Sequence, residues 1–244
     1  MAPIRGVLFD KDGTLFDFQA TWSSWAQAML LELAQGDLAK AASLGARIGY
    51  NFAAKQFDPG SVVIAGTPDD IVRLLLPGVP DMAPDTLADR LNAAAALAPQ
   101  AEAVPLAPLL AELRGMGLVL GVATNDAETP ARAHLAAVGQ EAVFDFIAGY
   151  DSGFGGKPEP GMCLGFAATT GLDPGAILMV GDSTHDLLAG RAAGMRCIAV
   201  LTGMAEAAVL APFADAVLSD IGHLPTWIAE NNGEWGVSRC EESE

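Results

Sequence analysis

Asp10 and Asp12 stand two residues apart in Phe9-Asp10-Lys11-Asp12-Gly13-Thr14-Leu15, directly after a short apolar run. Two carboxylates held close together repel, so they need a cation, a shared proton or water between them. A hard divalent ion such as magnesium takes oxygen ligands of this kind. While the chain stays extended, period-two geometry sends Asp10 and Asp12 to one side and Lys11 to the other, and Gly13 permits a sharp exit. A second acidic pair lies in Val180-Gly181-Asp182-Ser183-Thr184-His185-Asp186, again behind an apolar run. Asp182 sits where a strand-end carboxylate could complete a metal site, and Asp186 falls near the first turn of a following helix, where negative charge is favoured. Between these stretches come Thr124-Asn125, at the end of another apolar run, and Lys157 in the turn-forming triplet Gly156-Lys157-Pro158.

Each stretch has a plainer reading. Asp and Gly are common where a strand turns, as are Thr and Asn; Asp182 or Ser183 could simply cap a helix; an isolated lysine is usually solvated. What sets them apart together is their order and their shared position, each where a strand is expected to end.

In that order the four stretches resemble the motifs of the haloacid dehalogenase superfamily: D-x-D-G-T-L at Asp10–Leu15 by type, then Thr124, Lys157 and G-D-S-x-x-D at 181–186. The resemblance spans residues 4 to about 220. It implies an aspartyl-phosphate mechanism with Asp10 as nucleophile. Asp12 would protonate the leaving alcohol and then deprotonate the attacking water. Thr124 would give its hydroxyl to a phosphoryl oxygen, with Asn125 beside it in the phosphate-binding set. Lys157 would be a fixed positive charge against the phosphoryl group. Magnesium would be held by Asp10, Asp182 and the backbone carbonyl of Asp12, with Asp186 supporting the site directly or through water. The branch with a helical (C1-type) cap inserted after the first motif is the most similar, and within it the phosphoglycolate phosphatases. Asp12 disfavours dehalogenases and phosphonatases, which lack an aspartate there. Lys11 replaces the apolar residue usual in that motif; its side chain is expected to point away from the metal, leaving the substrate open. A β-phosphoglucomutase-like phosphotransferase is the alternative, and a non-catalytic metabolite-binding protein the third reading.

The elements that would position these residues alternate. Strands are expected at residues 4–9, 118–124, 146–148, 177–180, 196–201 and 216–218. Helices are expected from Thr129-Pro130 to about Gly139, over 160–170 with Gly171 beyond the end, and over 185–193 stopped by Gly194. Such alternation predicts an α/β fold, a Rossmann-like three-layer core with a parallel sheet whose strand C-termini share one edge. Residues 18–105 differ, being Ala- and Leu-rich, with Trp22, Trp25, Ala26, Met29, Leu30 and Leu33 at helical spacing and helix starts at Thr67-Pro68 and Pro84. They predict an inserted all-helical cap domain, with 99–108 leading back to a core built of 1–17 and 106–230. The apolar face of 21–35 is expected to pack rather than bind. Asp17 reads as structural, Arg47 and Lys55 as candidates to meet a second substrate anion, and 231–244 as an acidic, flexible tail.

The 244 residues carry 30 acidic and 13 basic side chains, a net charge of −17. That leaves no basic face for nucleic acid and repels an anionic substrate at long range, unless a bound cation inverts the local potential. No apolar run reaches the ~18–20 residues needed to cross a bilayer, and the start, Met-Ala-Pro-Ile-Arg, lacks a signal-peptide pattern. The expectation is a cytoplasmic enzyme for a small phosphorylated metabolite, with no membrane or nucleic-acid partner. Cys163, Cys197 and Cys240 are too scattered for a disulfide framework or zinc site, and structural roles are expected for His134, His185 and His223.

Overall fold

The computed structural model describes residues 2–233. The chain enters through β1 (Gly6–Phe9), a fully buried strand. The Asp17 carboxylate then accepts the Ala20 N–H at 2.7 Å and caps α1 (Phe18–Leu33), and Asp37 caps α2 (Leu38–Arg47) in the same way. These side chains satisfy amides that a first helical turn leaves without partners. A two-residue antiparallel hairpin follows, β2 (Tyr50–Asn51) with β3 (Gln56–Phe57), so the insertion is not wholly helical as expected. After it come α3 (Val62–Ala65), α4 (Pro68–Leu75), opened by a capping box between Thr67 and Asp70, and α5 (Pro84–Ala95).

The chain returns through α6 (Leu106–Gly115) and then alternates: β4 (Val119–Ala123), α7 (Glu128–Ala137), β5 (Phe146–Ala148), α8 (Gly161–Thr170), β6 (Ile177–Gly181), α9 (Thr184–Ala192), β7 (Arg196–Val200), α10 (Ala207–Leu210), β8 (Ala216–Leu218) and α11 (Leu224–Gly233). Residues 231–233 therefore end a helix rather than begin a tail, and residues 234–244, with Cys240, lie outside the described residues. The two passages between sheet and insertion run side by side: Asp17 donates its N–H to the Ala101 carbonyl and Ala103 to that of Leu15, at 2.8 and 2.9 Å.

The six strands are parallel in the order β5-β4-β1-β6-β7-β8. After β1 the chain builds outward through β4 and β5, then crosses to the other side of β1 for β6, β7 and β8. The strand order reverses around β1, and the crevice beyond the C-terminal ends at such a reversal is where sheets of this type bind ligands. Asp10, Thr124 and Asp182 each stand one residue beyond β1, β4 and β6.

Strand periodicity divides the core. Val7, Phe9, Val122 and Val180 face a layer containing α6, α7 and α11, whereas Leu8, Ala123 and Met179 face α8 and α9. The insertion has a separate apolar cluster running from Phe18 to Ala95, with Trp22, Trp25, Leu44, Tyr50 and Leu87 within it. Cys163 and Cys197 are buried free thiols. Among the described residues no helix is long and apolar enough to cross a membrane.

Candidate active site

Asp10 is held at the sheet edge by the last rung of the ladder, its N–H donating to the Val180 carbonyl at 2.8 Å. Lys157 reaches the same point from the glycine-rich loop after β5. Its Nζ donates to Asp10 Oδ1 at 2.6 Å, Asp186 Oδ1 at 2.6 Å and the Ala123 carbonyl at 2.8 Å, which occupies all three protons. The other oxygen of Asp186 accepts from the N–H and hydroxyl of Ser183 at the start of α9. Asp182 receives the Thr14 hydroxyl at 3.4 Å. Two glycines pack close against it: a Cβ on Gly203 would fall 1.7 Å, and one on Gly13 2.4 Å, from Asp182 Oδ2. Gly13 also has a φ of +86°, so this turn demands glycine twice over.

Carboxylate oxygens of Asp10, Asp182 and Asp186 all lie within 4.8 Å of one another. Burial, together with repulsion from Asp186 and Asp12, outweighs the Lys157 ammonium and pushes the Asp10 carboxyl up to about 7. Burial, then Asp10 and Asp186, raise Asp182 well above the usual carboxylate range. Burial alone would lower Lys157, but Asp10 and Asp186 overcome it and hold the ammonium above its ordinary value. Three carboxylates share one ammonium, leaving two negative charges in excess when all are ionised. A divalent cation would cancel that excess, and three hard oxygen donors in a cradle narrowed by glycines fit magnesium. This chain's own residues therefore suit the ion that the sequence implied.

Asp12 belongs to a neighbouring cluster. The strand ends at Phe9, so the expected alternation does not separate Lys11 from Asp12: Lys11 Nζ stands 2.7 Å from Asp12 Oδ2. Lys11 is wholly buried, and its ammonium also meets Asp126 Oδ2 at 3.1 Å and His134 Nδ1 at 2.9 Å. Lys11 thus stands clear of the three clustered carboxylates but is bound to the proposed acid/base. Burial would lower it, yet Asp12 and Asp126 keep it above its ordinary value. His134 Nδ1 must accept from that ammonium, so Nε2 carries the proton and donates to the Ala95 carbonyl at 2.6 Å. Burial and the Lys11 charge push the imidazole down to about 4. Asp12 Oδ1 is buried with no hydrogen-bond partner.

Thr124 is buried at the end of β4, its Oγ1 accepting the Asp126 N–H at 3.1 Å. Asn125, expected in the phosphate-binding set, has its carboxamide bonded to protein: it accepts from Lys157 N and donates to the Lys157 carbonyl, at 2.7 and 2.9 Å. It also donates to the Ala65 carbonyl of the insertion at 2.8 Å. Asn125 therefore fixes the backbone that aims Lys157. A cavity opens above these groups. Asp10, Asp12, Thr124, Asn125, Lys157, Asp182 and Asp186 line its floor, and Trp22, Trp25, Val63, Ile71 and Leu91 its roof. Trp22 and Trp25 do pack, as their spacing predicts, but they also face the cavity, which helical periodicity alone does not distinguish. Arg47 and Lys55 are not among its lining residues. Asp126, His134 and Gly203 gave no signal in the sequence, because only the closed chain brings them here.

Residues 4–194 match the family model for haloacid dehalogenase-like hydrolases. A phosphoglycolate phosphatase of Rhodospirillum rubrum is 31% identical over 232 residues, which cover 92% of this chain and 90% of the relative. A probable phosphatase, IndB, of Dickeya dadantii is 42% identical over 95 residues, covering 39% of this chain and 41% of that protein. Among solved structures, a predicted phosphoglycolate phosphatase from Haemophilus somnus superposes with a TM-score of 0.71, covering 93% of this chain and 99% of that one; at 18% identity this speaks to the fold. The chain belongs to the haloacid dehalogenase-like hydrolases. With full-length relatives that are phosphatases, it falls on the phosphatase side of that family.

Proposed function

We propose that the chain is a magnesium-dependent phosphomonoesterase that works through an aspartyl-phosphate on Asp10, with residues 18–105 as a helical cap over a core of 1–17 and 106–230. The observation that carries it is the convergence of Asp10, Asp182, Asp186 and Lys157 at the strand-order reversal, with negative charge in excess of what Lys157 cancels. Asp10, the Asp12 carbonyl and Asp182 would hold the ion, with Asp186 buttressing both it and Lys157. Bound there, magnesium supplies positive charge against the phosphoryl oxygens and keeps Asp10 ionised. Asp10 Oδ attacks phosphorus and the bond to the leaving oxygen breaks. Asp12, braced by Lys11, delivers a proton to that oxygen from the side chain whose Oδ1 has no protein partner, then takes one from the water that cleaves the acyl phosphate. The Thr124 hydroxyl accepts from Asp126, so its own proton remains to donate to a phosphoryl oxygen. Asn125 serves by holding Lys157.

The names of the relatives make phosphoglycolate the first substrate to assay; a small metabolite handled in the cytoplasm is our reading, and no residue gives positive support to the mutase alternative. Phosphate release should require magnesium, stop in chelator and return when the ion is restored. Asp10→Asn should reduce turnover at least about 10³-fold with an unchanged circular dichroism spectrum. Turnover at the wild-type rate by that variant would reject the mechanism.

A further inference from the structure

The two sides of the cavity differ in chemistry. Its floor presents five carboxylates, those of Asp10, Asp12, Asp126, Asp182 and Asp186, with the His185 imidazole and a single ammonium; among the described residues that line it, Lys157 is the only lysine or arginine. Its three protons already go to Asp10, Asp186 and the Ala123 carbonyl. The roof, drawn from the insertion, is apolar and partly aromatic, with Trp22 and Trp25 edge to face at 5.2 Å between ring centroids. Two neutral polar groups interrupt it. Asn92 supplies a carboxamide. Trp22, 6% exposed, carries a buried indole N–H with no hydrogen-bond partner in the protein, although such groups are nearly always paired.

These features restrict what can stand beyond the phosphate. A second anion on the substrate, such as a carboxylate two carbons away, would lose its water to an apolar wall and find no free lysine or arginine there to replace it. It would also share the cavity with acidic side chains of its own sign. An apolar leaving group gains from the same wall, and an aromatic one can add an edge-to-face contact with the tryptophans. Resting on the hydrolase reading above, we propose that the substrate is a phosphomonoester of an uncharged, apolar alcohol, aromatic or branched, and that the site discriminates against phosphorylated acids.

The test uses the full chain with saturating magnesium and compares kcat/KM for benzyl phosphate, 2-phosphoglycolate and acetyl phosphate, the last being too small to sample the roof. Benzyl phosphate should exceed phosphoglycolate by about 100-fold, the scale expected for an unpaired charge in a desolvated site. Asn92→Lys, at a partly exposed position, should shift that ratio toward phosphoglycolate by about tenfold by supplying the absent cation. Acetyl phosphate turnover with phosphoglycolate equal or preferred, or with benzyl phosphate refused, overturns this inference and leaves the hydrolase reading standing. So does an unchanged ratio in a folded Asn92→Lys protein. Failure to hydrolyse all three overturns the hydrolase reading and this inference with it.

Discussion

His134 spends its two nitrogens on opposite tasks, accepting from the Lys11 ammonium and donating to the Ala95 carbonyl. Protonating it would place a second cation 2.9 Å from Lys11, and burial resists that as well. The fall of its pKa from 6.5 to about 4 has a definite sign. Between those values the unfolded chain binds a proton that the folded chain refuses, so this contribution to stability is complete above pH 6.5 and is lost as pH falls toward 4. Between pH 7 and pH 5 it amounts to about 2 kcal/mol. In chelator, urea unfolding of the native protein should therefore lose about 2 kcal/mol more over that interval than His134→Gln, which keeps both hydrogen bonds possible but cannot titrate. Parallel pH profiles for the two proteins would show that the imidazole titrates normally. At this scale the sequence marked Asp10, Thr124 and Asp182, because each follows an apolar run and strand ends converge at a sheet edge, and Lys157, because it stands in a Gly/Pro turn of a chain with few cations. It did not disclose the ion pair of Lys11 with Asp12. Alternation stops being informative once the backbone leaves the strand, and the other two partners of Lys11, Asp126 and His134, lie more than a hundred positions away.

The elements matter most through what their connections press against the site. The loop after β7 lies over Asp182, pinned by the Thr202 hydroxyl donating to the Gly13 carbonyl at 2.6 Å. A methyl group on Gly203 would overlap the Asp182 carboxylate, so either the loop lifts or the carboxylate turns away from Asp10 and Asp186. Gly203→Ala should raise the magnesium concentration for half-maximal activity by about 10–100-fold, the usual cost of disturbing the support of a metal ligand. Gly60→Ala, where the added Cβ meets nothing within 4 Å, should leave it unchanged, and equal titrations for the two would remove Gly203 from the argument. Elements were legible where caps and periodicity agreed, as at Thr67-Pro68, Gly171 and Gly194. Prolines misled in two places. Pro108 suggested a linker and Pro130 the first helical residue, yet each is the third residue of its helix, α6 and α7. The first four amides of a helix have no internal acceptor, so a proline there sacrifices nothing. The hairpin of β2 and β3 escaped notice because four residues are too few to display a period.

For the molecule as a whole, the net charge of −17 and the acidic cavity floor act on a phosphate dianion before any contact is made. Bound magnesium would offset this charge only locally, within a few ångströms of Asp10, whereas the approaching substrate feels the whole surface at a distance set by salt. The screening length shrinks from about 30 Å at 0.01 M to about 8 Å at 0.15 M ionic strength. Added salt should then weaken the long-range repulsion while leaving contacts in the closed site nearly untouched. With magnesium saturating throughout, kcat/KM for a phosphomonoester should rise by a factor of about two to five over that range, and kcat should stay level. The direction is what discriminates. A fall in kcat/KM with salt would mean that the substrate is drawn in by a positive field at the cavity mouth, and such a field needs more cationic groups than Lys157, the only lysine or arginine among the described residues that line this cavity.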